Sequence, residues 1–309
     1  MPDYDAIIIG GGPAGLTAGL YLSRGKYPTL LIDRDGFGGS VKNAAWIENY
    51  PGFSTGVAGA QLASEMMTQA LNSGLQMEMA EVAEVESYSE SRCVQLTDGR
   101  RFTANALIIA SGCHAKRLDI PGERELFGKG IIECALCDGD QFQGKTVAVC
   151  GGGDRGISEA LYLTKFASKV YLIEIEAEIS ASVVLQERAR CNSKLELRCG
   201  VKVLAISGSD KVEAMEIRDT VTQETESLSV DGVLIDVGIE PNTGFLKNLL
   251  SVDSQGRILV NVMMQTSLPY IFAAGDIRSN SPAQVVTAVG DGATAAISVQ
   301  NLLHQQSNR

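Results

Sequence analysis

Ile7-Ile-Ile-Gly10-Gly-Gly12-Pro13-Ala14-Gly15 lies at the start of the chain, and its reading decides the fold. Residues 4–9 read as a short buried strand, and the glycine turn leads into a helix from Pro13 to about Arg24. A second apolar strand, Thr29–Ile32, ends at Asp33. Strand, Gly-x-Gly-x-x-Gly turn, helix and terminal acid together form a dinucleotide-binding unit. Its glycines let backbone approach a pyrophosphate at a helix N-terminus, and the acid at the strand end takes a ribose hydroxyl.

The device recurs. Val147-Ala-Val-Cys150 runs into Gly151-Gly-Gly153-Asp154-Arg155-Gly156, then a helix over Ile157–Phe166 and a strand over Lys169–Ile173 that ends at Glu174. The same interval, 23 residues, separates Gly10 from Asp33 and Gly151 from Glu174. An internal repeat of one binding unit predicts two nucleotide sites. Arg155 has two readings, neutralising a pyrophosphate or standing in solvent.

Between the two units lies Cys134-Ala-Leu-Cys137-Asp138-Gly139. Two cysteines at this spacing can close a reversible disulfide, and the carboxylate beside the second sulfur can move the proton that thiol–disulfide exchange requires. Structural zinc is the rival reading. It needs four ligands, and the chain has no second Cys-x-x-Cys and only His114 and His304. No metal is therefore expected. Of the other five cysteines, Cys150 reads as strand packing and Cys93, Cys113, Cys191 and Cys199 as free thiols, with a Cys191–Cys199 bridge as the lesser alternative. His114 reads as a loop residue at a domain crossing.

Elsewhere, Trp46–Phe53 reads as a loop with aromatic packing, and an amphipathic helix follows over Gly59–Leu71. Strands are expected at Val94–Leu96, Arg101–Phe102 and Ala106–Ala110, and a polar meander between about Glu196 and Val230. Val233–Gly238 and Tyr270–Gly275 are apolar strands, and a small-residue helix runs from Ala293 to Leu303. The chain has 309 residues, 45% of them hydrophobic and 20% charged, enough for two domains with separate cores. A net charge of -11 argues against nucleic acid and anionic membranes. The glycine-broken N-terminal run lacks a basic leader, so neither a signal peptide nor a membrane span is expected. An odd set of seven cysteines, mostly scattered, suits a reducing cytoplasm or organelle stroma.

With these residues in view, the chain resembles the low-molecular-weight thioredoxin reductase family of flavoproteins over nearly its whole length. The resemblance rests on GGGPAG, GGSV with IENYPGF, CALCDG, LIDVGIEPNT, FAAGDI and QVVTAVGDGATAA. It implies an α/β fold of two Rossmann-like (three-layer ββα) domains. Residues 1–114 and 240–309 would form an FAD domain, with the second nucleotide domain, 115–239, inserted into it between two hinges and carrying the disulfide. By the resemblance, Gly10, Gly12 and Gly15 hold the FAD pyrophosphate and Asp33 its ribose. Asp276 contacts the ribityl chain or pyrophosphate, and Gln284 reaches toward the flavin. It extends the cofactor contacts to Pro13, Ala14, Arg34, Gly39, Ser40, Asn49, Val82, Ala110, Ser111, Gly112, Gly275 and Val285. Cys137 matches the thiol beside the flavin, Cys134 the thiol that attacks the protein substrate, and Asp138 the acid–base residue. Spacing alone would not assign the two sulfurs.

The chain departs from the family at the second unit. NADPH-dependent members carry a His-Arg-Arg cluster where this chain has Glu174-Ile-Glu176-Ala-Glu178, and no Lys or Arg stands between Val170 and Glu187. Three carboxylates repel a 2′-phosphate that Arg forks ordinarily bind. Gly156 stands where such members have Ala, and Ala283 where the family commonly has Arg. The expectation is an FAD-dependent disulfide reductase acting on a thioredoxin-like or other disulfide partner, as a homodimer. Its second turn, with Gly151, Gly153, Asp154, Arg155, Gly156 and Glu174, would hold a second FAD or NADH, as in diflavin-linked relatives. A ferredoxin donor with no second nucleotide is the alternative, as is a flavin-binding redox sensor without turnover.

Overall fold

The structure is a computed structural model and describes residues 2–44, 46–132 and 134–307. It divides into two compact units, Met1–His114 with Glu240–Arg309, and Ala115–Ile239.

The first unit begins β1 (Tyr4–Ile9), α1 (Pro13–Arg24), β2 (Thr29–Asp33), α2 (Gly59–Asn72), β3 (Gln76–Met79), β4 (Val82–Ser87), β5 (Arg92–Leu96) and β6 (Arg101–Ile109). The chain leaves it on β7 (Cys113–Ala115). The second unit contains β8 (Ile131–Ile132), α3 (Ala135–Asp138), β9 (Thr146–Cys150), α4 (Asp154–Leu163), β10 (Lys169–Glu174), α5 (Val183–Cys191), β11 (Leu195–Cys199), β12 (Val201–Ser207), β13 (Ala214–Asp219), β14 (Thr225–Ser229) and β15 (Gly232–Ile235). Return is on β16 (Ile239–Pro241), followed by β17 (Ile271–Ala273) and α6 (Val285–Ser307).

In the first unit the sheet order is β3-β2-β1-β6-β5-β4, with β17 also paired to β6. β1 is parallel to both β2 and β6, so its two faces are both covered and its apolar run is continuous. One face carries Ala6, Ile8, Leu31 and Ile108 against α1 and α6; the other carries Ile7, Ile9, Ile32 and Ile109 against Ile258, Ile271 and Ile277. In the second unit the parallel order is β11-β10-β9-β15-β8, and β12-β13-β14 form a separate antiparallel sheet. Among the described residues no helix is long and apolar enough to cross a membrane.

Several boundaries differ from the sequence reading. Arg101–Phe102 and Ala106–Ala110 are one strand, because β6 pairs antiparallel with β5 through its first half and parallel with β17 through its second. α4 starts three residues before Ile157 and ends at Leu163; Thr164 turns the chain, and Phe166 lies beyond it. The last helix starts at Val285, eight residues ahead of Ala293, and runs through Gly290 and Gly292. A Cβ at Gly292 would lie 2.2 Å from the Ala14 carbonyl oxygen, so glycine is what lets α6 close on α1. α5 was not legible at all. Val183 and Val184 are exposed and Ala189 is its buried residue, so no apolar stripe announces it. Cys191 and Cys199 are free thiols rather than a bridge.

Candidate functional site

At the end of β1, Gly10 has φ +109°, and a Cβ there would lie 2.2 Å from the Ala110 oxygen; one at Gly15 would lie 1.8 Å from the Gly10 oxygen. These contacts fix the turn against β6 and set the start of α1. Gly12 behaves differently: a Cβ there would meet only the Gly39 Cα, at 3.8 Å, leaving an open backbone face at a helix start that no side chain caps. Pro13 is the first helical residue, and Gly39, with Ser40 next to it, closes over Gly12. Asp33 Oδ2 accepts the Gly11 N–H at 2.6 Å and Oδ1 the Asp35 N–H at 2.8 Å, which leaves lone pairs for ribose hydroxyls. Such an open turn with an oriented carboxylate at its edge fits the adenosine diphosphate half of FAD.

The other expected contacts all lie in this unit, and some of them touch the turn or one another. Ala14 meets Gly275, whose Cβ would stand 3.0 Å from that of Ala14. Asn49 Nδ2 donates to Gln284 Oε1 at 2.9 Å across 235 residues, and Val285 packs on the Val41–Ile47 cluster beside them. Ser111 Oγ donates to the Asn242 oxygen at 3.0 Å, tying Ala110-Ser111-Gly112 to the chain after β16. Arg34 pairs with Asp35 and lies 3.6 Å from Glu81, the residue before Val82. Burial pushes the Asp276 carboxyl up, against the pull of the Ser281 hydroxyl donating to its Oδ1. Ala283, in the family's Arg position, sits at φ +53°, and its N–H donates to Ser281 Oγ.

Sequence reasoning missed the support for this loop. Arg278 makes two hydrogen bonds to Asp291, at 2.6 and 3.0 Å, and Asp291 Oδ2 also accepts the Gly275 N–H. Gly290-Asp291-Gly292 was visible as a motif, but only the fold brings its acid under Gly275.

The second unit repeats the turn and its acid. A Cβ at Gly151 (φ +119°) would meet the Asp236 oxygen at 2.0 Å, one at Gly156 the Gly151 oxygen at 2.1 Å, and Gly153 is open apart from Ser180 Oγ at 4.0 Å. Glu174 Oε2 accepts the Gly152 N–H at 2.5 Å and Oε1 the Glu176 N–H at 3.0 Å. That is the grip Asp33 has on Gly11 and Asp35. Asp154 opens α4 and accepts the Ser182 N–H, while Arg155 Nε lies 3.4 Å from Asp236 Oδ2. Ile175, exposed, takes the place of Arg34.

Cys134 and Cys137 form a disulfide with their Cα atoms 5.3 Å apart. Cys134 caps α3, its sulfur accepting the Cys137 N–H at 3.1 Å, and the Asp138 N–H completes the turn to the Cys134 oxygen. Cys134 is buried, Cys137 exposed and Asp138 half-buried. Phe142 anchors the segment in the core, where Gly232 leaves room for its ring. Burial pushes the Cys150 thiol up to about 12 and the Cys113 thiol up to about 11, which keeps both protonated and unreactive. Among the described residues no group of three or more His, Cys, Asp or Glu could hold a metal ion.

The family profile described as pyridine nucleotide-disulphide oxidoreductase matches residues 4–292. The thioredoxin reductase of Bacillus subtilis (strain 168) is 41% identical over 303 residues, covering 98% of this chain and 95% of that protein. That of Helicobacter pylori (strain J99) is 40% identical over 306 residues, covering 97% and 98%. The crystal structure of Lactococcus lactis thioredoxin reductase has a TM-score of 0.96 at 34% identity, covering 98% of this chain and 100% of that one. The chain belongs to the pyridine nucleotide-disulphide oxidoreductases and, among them, to the low-molecular-weight thioredoxin reductases, flavin-dependent enzymes that act on disulfides.

Proposed function

We propose that this chain reduces the disulfide of a thioredoxin-like protein through Cys134 and Cys137, fed by a donor other than NADPH. The observation that carries the reading is the repeated grip of Asp33 and Glu174, two carboxylates each fixed by two backbone N–H groups at the edge of an open glycine turn. Such a carboxylate binds an unphosphorylated ribose. Two of them suit FAD at the first turn and a second FAD or NADH at the second.

Gly10, Gly12, Gly15 and Asp33 would hold FAD, with Asp276, Asn49 and Gln284 orienting its far end. When bound, FAD supplies two-electron reducing equivalents. The Cys134–Cys137 bond takes up two electrons and two protons to become a dithiol. The Cys134 thiolate then attacks a sulfur of the partner disulfide, and Cys137 resolves the mixed disulfide, releasing the partner as a dithiol. Asp138, adjoining Cys137, holds or returns the proton at each exchange. Cys134 is buried, so a protein partner reaches it only when that residue is uncovered. The family supports a homodimer. A ferredoxin donor is the second reading, favoured by a cleft in the second unit lined by Lys116, Arg117 and Arg124 beside one acid, Glu123, with Arg124 paired to Asp119.

Counting flavins released from the denatured protein tests the reading. One or two FAD per chain are expected, and Asp33→Lys is expected to lower FAD content by placing a cation where the ribose hydroxyls bind. A colourless protein that cannot be reconstituted overturns it. Asp138→Asn keeps the shape and loses the proton. It is expected to slow disulfide reduction by about 10²–10⁴-fold at unchanged FAD content, measured by turnover with a thioredoxin-like substrate; an unchanged rate removes Asp138 from the mechanism.

A further inference from the structure

α4 carries Arg155 and Glu159 four residues apart, hence on one helix face. Glu159 Oε2 accepts the N–H of Ala135 at 2.7 Å, and Ala135 follows Cys134 directly. A carboxylate from another element is thus bonded to the peptide that joins the buried redox cysteine to its helix. Nothing in the Cys-x-x-Cys-Asp motif announces this contact, since Glu159 lies 24 residues downstream of Ala135.

Its surroundings keep the carboxylate poorly compensated. Arg155 is the cation acting on it, and Arg155 also faces Asp236, 3.4 Å away without hydrogen-bond geometry. Asp236 is 9% exposed, and its Oδ2 has no hydrogen-bond partner among the described residues. One guanidinium therefore serves two carboxyls. Burial pushes both up; on Glu159 the Ala135 N–H and then Arg155 oppose that shift, and Asp236 adds to it. The elements packed on α4 bring further charges: Asp138 from α3, Asp140 from the turn after it, Lys169 and Glu174 from β10, and Glu187, Arg188 and Arg190 from α5. The charges that act on the titration of Glu159 are Arg155 and Asp236.

We propose that Glu159 is a positioning residue for the redox pair, which through the Ala135 amide orients the start of α3 and through its charge restrains Cys134 from giving up its proton in the reduced enzyme. The Cys137 amide and the Glu159 carboxylate then act on that sulfur in opposite directions. The Cys137 N–H, which reaches Cys134 Sγ at 3.1 Å, favours the thiolate. The Glu159 carboxylate, held on the N–H of the residue that follows Cys134, disfavours it whenever it is ionised, since a neighbouring like charge raises a thiol's pKa. The sign follows: above the raised pKa of Glu159 its negative charge holds Cys134 as the thiol, and below that pKa the restraint disappears. A thiolate is the nucleophile in exchange, so this restraint sets the fraction of reduced enzyme ready to attack.

The inference rests on Cys134 and Cys137 being the redox pair, but it is tested without turnover. The full chain is reduced with dithiothreitol, which takes the disulfide to two thiols, and alkylation of Cys134 and Cys137 is followed separately by mass spectrometry across pH. Glu159→Gln retains an oxygen acceptor for the Ala135 N–H and loses the charge. It is expected to lower the Cys134 alkylation midpoint by about one pH unit, roughly tenfold more thiolate at a fixed pH below the midpoint, with Cys137 moving less. Glu159→Leu, lacking charge and acceptor, is expected to move Cys134 in the same direction. An unchanged or raised Cys134 midpoint in Glu159→Gln overturns the proposal, including the case in which only Glu159→Leu shifts, which marks a purely structural contact. Failure of dithiothreitol to release this pair would instead overturn the redox-pair reading itself.

Discussion

Replacing either Cys134 or Cys137 by serine is expected to abolish disulfide reduction while leaving FAD content unchanged. The two sulfurs form one bond in the structure, and both are needed to store two electrons between donor and substrate. A serine hydroxyl cannot be reduced or form a mixed disulfide. The residues fitted to FAD lie in the first unit, on the turn after β1, the start of α1, the end of β2 and the loops holding Asn49, Asp276 and Gln284, and none depends on the sulfurs for its hydrogen bonds. Visible absorbance of the purified variants separates cofactor loss from catalytic loss, and turnover on a thioredoxin-like disulfide reads the latter. Cys150 and Cys113 do not substitute for the pair, because burial holds both far above neutral pH as protonated groups. Normal turnover by the double serine variant would falsify the mechanism.

The two glycine turns were legible in the sequence because their requirements are local. A positive φ at Gly10 and Gly151, a missing Cβ at Gly15 and Gly156 and an acid at the next strand end each leave a residue-type signature at fixed spacing. The disulfide was legible for the same reason. What stayed hidden depends on long-range contact. Glu159 is an ordinary acid on an amphipathic helix until the fold sets it under Ala135, and Asp236 reads as one acid inside an apolar strand until Arg155 is seen across the turn. Asp291 was visible only as part of a motif, because its partners Gly275 and Arg278 reach it through tertiary packing. Secondary structure failed where burial did not follow periodicity, as in α5, or where glycine inside a helix had a packing reason, as at Gly292.

NADPH is expected to leave the enzyme's flavin oxidised, and this follows from the geometry at Glu174. Both of its oxygens already accept backbone N–H groups, from Gly152 and Glu176, so its position at the turn is fixed and it cannot swing aside for a phosphate. The remaining lone pairs suit the 2′- and 3′-hydroxyls of an unmodified ribose. A 2′-phosphate removes one of those hydroxyl donors, and losing a charge-assisted hydrogen bond costs about 1.5–3 kcal/mol. It also sets a dianion against the acid at 174, with Glu176 and Glu178 close behind in sequence and no Lys or Arg between Val170 and Glu187. Since about 1.4 kcal/mol is tenfold in affinity, discrimination of at least ~100-fold against NADPH is expected. Arg155 does not reverse this, because it lies in the Gly151–Gly156 turn and faces Asp236. Stopped-flow absorbance of the oxidised enzyme mixed with each nucleotide, together with the flavin count, reads the outcome. Bleaching by NADH, or two flavins per chain with neither nucleotide reacting, agrees with the open turn and Glu174. One flavin per chain and no response to either nucleotide moves the donor to a ferredoxin. Rapid bleaching by micromolar NADPH with a single flavin per chain would mean that Glu174 does not face the ribose, and the assignment of the second turn would fall with it.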